Sequence, residues 1–279
     1  MSYKMENITP EIAIIMSVYK NDKLLYIQQA VESILNQKNV NYLFFMHLDG
    51  KVNSVVMDYL NKLQHSNKII LSQSILNNGL SNSLNYLIDK VLIIPNIKYI
   101  ARMDSDDISL PERLSKQVRF LENHPNIDVL GTACKEFGSS FSLEKKFLPS
   151  HHDDLVKYSI CRCPFIHPTV MFRRKVFDDG NRYPTHTTFT EDMAFWLELI
   201  YKGYKLHNLP DVLLQYRLED NTMHRRKGLS KAKSEFSLRM GYMFLLNQVS
   251  LKNILLISSR YIFHLLPPSI MSKAYKYLR

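Results

Sequence analysis

The chain has 279 residues, 46% of them hydrophobic, with 16 Tyr, 14 Phe and only 8 Gly. This excludes a predominantly disordered protein and allows one large core, or one domain with an appendage. The net charge of +10 is uneven: residues 225–279 hold eleven Lys or Arg against the single acid Glu235, whereas residues 1–224 hold 25 of each sign. Any anionic partner is therefore met by the last fifth of the chain.

The opening residues carry no basic segment before an apolar stretch and no small-residue cleavage site, so no secretory signal is expected. "IAIIMSVY" (12–19) reads as a buried strand. "NDKLLYIQQAVESILNQ" then sets Ile27, Ala30, Val31, Ile34 and Leu35 at helical spacing. Strand and turn follow in "YLFFMHLDG" (42–50), helix in "VVMDYLNKLQ" and strand in "KIILSQS". A third helix carries Leu84, Leu87, Ile88 and Val91 on one face, and "KYIARMD" closes the series as a fourth strand. This alternation predicts an open, mostly parallel α/β sheet with helices on both faces. Ligands of such sheets bind beyond the carboxyl ends of the strands. The residues placed there are Ser17 and Tyr19, then Asp49 and Gly50, then Asn77 to Gly79, then Asp104 to Asp107.

Beyond this point the pattern loosens. "IDVLGTAC" (127–134) and "TVMFRR" read as strands, "HHDD" (151–154) as the start of a polar loop, and "LLQYRLEDN" as a strand running into a loop. "TEDMAFWLELIYKG" (190–203) is a clear helix, with Met193, Trp196, Leu197 and Ile200 in phase and Gly203 at its C-terminus. Cys134, Cys161 and Cys163 form an odd, sparse set that argues against a disulfide framework and suits a reducing cytoplasm. "CRC" lacks the second ligand pair of a zinc site, so ordinary thiols are expected.

Three acids within four positions, Asp104, Asp106 and Asp107, are the most informative feature. Side chains two apart on a strand share a face, so Asp104 and Asp106 are expected to aim together and Asp107 to turn aside. Converging carboxylates need a cation or a shared proton, and hard oxygens suit Mg²⁺ or Mn²⁺ bridging to phosphates. "SLPE" has the form of a capping box, Ser109 with Glu112, opening a helix. Glu191 and Asp192 stand in a first helical turn. There a carboxylate either stabilises the helix or acts as a base toward an alcohol. Asp49 either accepts a hydrogen bond from a base or ribose, or forms an ordinary turn with Gly50. His167 lies among apolar residues and is expected to be structural.

"MSVYKND", "LDG", "NNGLSNSLN", "YIARMDSDDISLPERLSKQ", "FIHPTVMFRR" and "TEDMAFWLELI" occur in the order seen in the family 2 glycosyltransferases. The resemblance spans residues 10–225 and is nearest to the amylovoran-type, O-antigen and capsule branch. It implies a GT-A fold, a nucleotide-sugar donor, a divalent cation and inversion at the anomeric carbon. By that resemblance Ser17, Tyr19 and Asp49 contact the nucleotide, with Tyr19 and Asp49 at the uracil. Gly79 and Leu80 line the nucleotide pocket. Asp106 ligates the metal, and Asp104 contacts ribose or the metal. Asp192 is the base, Glu191 supports it, and His167 and Trp196 face the acceptor. Relatives often carry a histidine two positions after "YR"; here Glu219 stands there, so Glu219, His224 or water completes the coordination.

The implied organisation is a catalytic domain over 1–225, its nucleotide-sugar half over 1–108 and its acceptor half over 109–225, and a basic helical tail over 226–279. The tail mixes aliphatic and aromatic residues with Lys and Arg, and no segment reaches the roughly 18 uncharged residues of a spanning helix. It suits an interfacial helix on an anionic leaflet, or helices packed on the catalytic domain. The expected partners are a UDP-sugar, a sugar acceptor on undecaprenyl diphosphate and the anionic membrane surface at the cytoplasmic face of the inner membrane. Nucleotidyl transfer is disfavoured because "SVYKNDKLL" lacks a glycine-rich loop for a triphosphate. Nucleic-acid binding is disfavoured because the tail lacks a known motif and is too apolar for a solvated arm.

Overall fold

The computed structural model describes residues 9–187, 190–219, 228–267, 270–271 and 273. In chain order its elements are β1 (Ile12–Tyr19), α1 (Leu24–Leu35), β2 (Tyr42–Asp49), α2 (Ser54–His65), β3 (Ile70–Gln73), α3 (Leu80–Leu92), β4 (Tyr99–Asp104), β5 (Ile108–Ser109) and α4 (Arg113–Asn123). They continue with β6 (Val129–Phe137), α5 (His152–Cys161), β7 (Met171–Arg173), α6 (Lys175–Asp178), α7 (Glu191–Tyr201), β8 (Leu206–Arg217), α8 (Leu229–Leu245) and α9 (Leu251–Phe263). They pack as two units: Met1–Asp128 with Val170–Arg182, and Val129–Thr169 with Tyr183–Arg279.

In the first unit the strands run in the order β3, β2, β1, β4, β7. All pairings are parallel except β4 with β7. β1 is buried along nearly its whole length, as a central parallel strand with helices packed around the sheet must be. The predicted face of α3 is buried as expected; in α1, Leu35 is only half-buried and Ser33 takes the buried place beside Ile34. The Arg174 guanidinium donates to the carbonyls of Leu92 and Ile94, satisfying the end of α3 from the segment that follows β7.

The capping box does not form. Ser109 lies in β5, buried, where its amide donates to Ser33 Oγ and its hydroxyl accepts from Gln37 Nε2. Glu112 is the N-cap of α4, makes no side-chain capping bond and pairs instead with Lys116. The competition is tertiary: Ser33 on α1 and Gln37 just past it offer Ser109 better partners than the first turn of α4 does.

In the second unit β6 pairs in parallel with β8. "HHDD" is not a loop: His151 is the N-cap of α5, with Asp153 and Asp154 in the first turn, where they favour the helix dipole. In α7, Gly203 at φ +87 ends the helix. The Gly203 amide reaches the Ile200 carbonyl and the Tyr204 amide reaches that of Leu199.

The C-terminal helices pack on this unit. Ile160, Met243 and Ile257 form a shared apolar cluster between α5, α8 and α9. Beside it the tail's single acid becomes a buried hub. The Glu235 carboxylate accepts from Arg239 Nε at 2.8 Å, Arg260 Nε at 2.6 Å and His264 Nε2 at 2.8 Å. Arg239 also donates to the carbonyls of Ser159 and Ile160, near the end of α5. Among the described residues, no helix is long and apolar enough to cross a membrane.

Burial alone would raise the Glu235 pKa. The His264 hydrogen bond and the charges of Arg239 and Arg260 outweigh it and hold the carboxyl well below the usual range. A depressed carboxylate stabilises the fold above its ordinary value of 4.5, and the contribution is lost as pH falls below that. Glu235→Gln should cost about 3–5 kcal/mol in urea unfolding at neutral pH, because it leaves buried cations uncompensated. The gap to the parent should narrow as the pH drops below 4.5.

Candidate active site

Parallel register brings the predicted donor residues side by side. Ser17 pairs with Asp104, and Tyr19 pairs with Asp49. Asp49 is buried and holds the loop before α3: its Oδ1 accepts from the Asn78 amide at 2.7 Å and its Oδ2 from the Gly79 amide at 2.9 Å. The Asn77 side chain donates to the Asp49 carbonyl. Gly50 completes the turn at φ +85, and a Cβ there would lie 2.8 Å from the Asn77 nitrogen, so only glycine fits without a backbone shift. Asp49 and Gly50 thus make more than an ordinary turn, because they brace a loop from another strand. Gly79 caps α3 at φ +87, and Leu80 is its first residue.

The carboxylates of Asp104, Asp106 and Asp107 offer ligand atoms all within 4.8 Å of one another at the end of β4. Asp107 therefore does not turn aside; the turn after the strand breaks the two-residue alternation. The repulsion is met from within. Arg102, two residues earlier on β4 and 2% exposed, grips Asp104 with both terminal nitrogens, one at 2.8 Å. Behind it Arg113, at the start of α4 and 0% exposed, donates to the Arg102 carbonyl at 2.6 Å and to Gln117 Oε1 at 3.2 Å. Burial and the neighbouring Arg102 push the Arg113 pKa down to about 9, while Asp107 and Asp104 draw it up, so it stays cationic at neutral pH. Asp22, after β1, ties the ends together: its Oδ2 accepts from the Tyr19 amide at 3.0 Å and from Ser105 Oγ at 2.7 Å.

The second unit holds the remaining predicted residues. Glu191 and Asp192 stand in the first turn of α7. Asp192 Oδ1 accepts from the Met193 amide at 2.7 Å, and Cys163 Sγ lies 3.8 Å from Asp192 Oδ2. The Thr190 hydroxyl meets Ser234 Oγ at 3.1 Å, joining the start of α7 to α8. His167 Nε2 lies 2.9 Å from the Tyr183 hydroxyl. Trp196 is 0% exposed and packs edge-on to His167 and Phe165, so its indole presents no surface to an acceptor and serves as a wall behind His167. Glu219 is half-buried just past β8, and His224 lies outside the described residues.

The sequence model of glycosyl transferase family 2 matches residues 13–181, which span β1 to β7 and the whole acidic cluster. The chain belongs to glycosyl transferase family 2. This glycosyltransferase is 29% identical over 227 residues to the amylovoran biosynthesis glycosyltransferase AmsE of Erwinia amylovora, covering 81% of this chain and 83% of that one. It is 28% identical over 284 residues to the UDP-Gal:alpha-D-GlcNAc-diphosphoundecaprenol beta-1,3-galactosyltransferase of Escherichia coli, covering 98% of each. The structure of the mannosyltransferase PcManGT from Pyrobaculum calidifontis, in complex with GDP-Man and Mn²⁺, matches with a TM-score of 0.63 at 12% identity. That match covers 96% of this chain and 86% of the other. The glycosyltransferase therefore has a GT-A-like fold.

Arg102, Arg113, Asp22 and Cys163 escaped the sequence reading of the site. For Arg102 a signal was present: a charged residue inside an otherwise apolar strand, two positions before an acid. Removing the guanidinium in Arg113→Met leaves the inner face of the acidic cluster without its counter-charge. This variant should lose about 3–5 kcal/mol in chemical denaturation at neutral pH.

Proposed function

We propose that this glycosyltransferase moves a hexose, glucose or galactose, from a UDP-sugar to a sugar carried on undecaprenyl diphosphate. The transfer inverts the anomeric carbon and serves bacterial O-antigen or capsule repeat-unit assembly. The observation that carries the reading is the cluster of Asp104, Asp106 and Asp107 at the carboxyl end of β4. The Escherichia coli relative, named for a UDP-sugar donor and a diphosphoundecaprenol acceptor, supports the substrate class.

The residues fit a divalent ion. Three carboxylates supply hard oxygens within 4.8 Å of one another, as Mn²⁺ or Mg²⁺ prefers. Asp106 would be the direct ligand, with Asp104 beside it. Because Asp104 is already oriented by Arg102, its share falls between the ribose and the metal. When bound, the ion supplies positive charge for the departing diphosphate.

Tyr19 and Ser17 contact the nucleotide from the end of β1. Asp49 acts at the uracil and holds the backbone of Gly79 in place, so that Gly79 and Leu80 line the nucleotide pocket. Asp192 removes the proton from the acceptor hydroxyl as it attacks the face opposite the leaving group, and no enzyme nucleophile is needed. Glu191 supports the base, the Cys163 thiol lies against its Oδ2, and His167 faces the acceptor. The basic tail keeps the enzyme at the cytoplasmic face of the inner membrane, where such an acceptor is presented.

Calorimetry with UDP should show uptake that MnCl₂ strengthens, and Asp106→Ala should abolish the metal-assisted part. Asp192→Ala should retain UDP binding while transfer to a synthetic diphosphate-lipid acceptor falls about 10²–10⁴-fold. Full transfer by either variant overturns the assignment.

A further inference from the structure

An open groove of about 430 Å³ lies between α5 and α9 in the second unit. Lys157 and Arg162 line it from α5 and its C-cap, and Lys252 lines it from the first turn of α9. Asp154 also lines it, so three cations stand against one acid. Tyr158 on α5 and Asn253 on α9 add hydrogen-bonding groups. Burial raises the pKa of the Cys161 thiol, another lining group, while Arg239, Arg260, Lys252 and Arg162 draw it down.

The rim is apolar. Leu256 lines the groove, while Leu251 and Leu255, one turn apart on α9, are 73% and 61% exposed. Val249, in the turn before α9, is exposed as well. A solvated basic arm would not carry exposed leucines, and a site for a free sugar phosphate has no use for them. Cations that seat a phosphate next to leucines that contact hydrocarbon match the headgroup region of an anionic lipid.

We propose that this groove seats the phosphate of a membrane lipid, with Leu251 and Leu255 entering the interface beside it. The inference deepens the membrane reading above, on which it rests, and turns a diffuse basic tail into a defined site. Lys157 and Arg162 come from α5, so the site is shared between the tail and the body of the unit.

The test is co-sedimentation of the full chain with phosphatidylglycerol–phosphatidylcholine vesicles and with phosphatidylcholine vesicles alone. It is run near physiological salt, without nucleotide or divalent ion. Selective binding to the anionic vesicles is expected. Each cation contributes about a fivefold effect, so Lys157→Ala/Arg162→Ala/Lys252→Ala together should weaken binding about a hundredfold. Lys157→Glu with Lys252→Glu, at two exposed positions, tests the same groove without touching the Arg162 cap. Leu251→Ser with Leu255→Ser should weaken vesicle binding while leaving uptake of inorganic pyrophosphate unchanged. Undiminished vesicle binding in the charge variants overturns the proposal, as does binding of pyrophosphate without any vesicle binding. UDP uptake with Mn²⁺ is measured in parallel: its persistence in these variants separates this groove from the donor site. Its absence in the parent would count against the donor reading alone.

Discussion

Three carboxylates converge at the end of β4 because two buried guanidiniums stand behind them. Arg102 fixes Asp104, and Arg113 fixes the backbone of Arg102 while facing Asp107. Without these cations the cluster would be a site of mutual repulsion. With them, the inner side of the cluster is compensated. Asp22 adds a strut from β1, so the loop after β4 is tied to a neighbouring strand rather than held by its own turn.

The location of this site was legible because it follows from topology. Branched apolar runs alternating with amphipathic helices force a parallel sheet, and parallel register puts Ser17 opposite Asp104 and Tyr19 opposite Asp49. The two-residue period predicted which strand residues share a face but failed three residues past the strand, where Asp107 joins the cluster. The motif at Ser109 and Glu112 failed for a related reason: a short local pattern was outcompeted by partners on α1 and just past it, more than seventy residues away in sequence. Trp196 was correctly placed on an apolar helical face, yet the other faces of α7 are buried too, so periodicity gave no sign that its indole is enclosed.

The tail shows how little composition reveals about a charged segment. Eleven cations and one acid suited either a helix on an anionic leaflet or helices packed on the catalytic domain. The lone acid organises the packing, since Glu235 gathers Arg239, Arg260 and His264 beside an apolar cluster shared with α5. Helical spacing points only to Arg239, four residues on; the other partners lie 25 and 29 residues from Glu235, where no spacing rule reaches. Once Arg239 and Arg260 are accounted for, the charge left for a surface partner is smaller and more localised than the net value implies.

The first unit is discontinuous: its last strand, β7, is encoded only after the segment Val129–Thr169, which belongs to the other unit. During synthesis β4 emerges long before the antiparallel neighbour that covers its edge, and the carbonyls at the end of α3 wait equally long for Arg174. A nascent chain thus passes through a stage with an apolar strand edge unpaired, a template for wrong pairing. The ribosome must deliver part of one unit before the other can close, which makes the order of translation a constraint on how this enzyme reaches its native state.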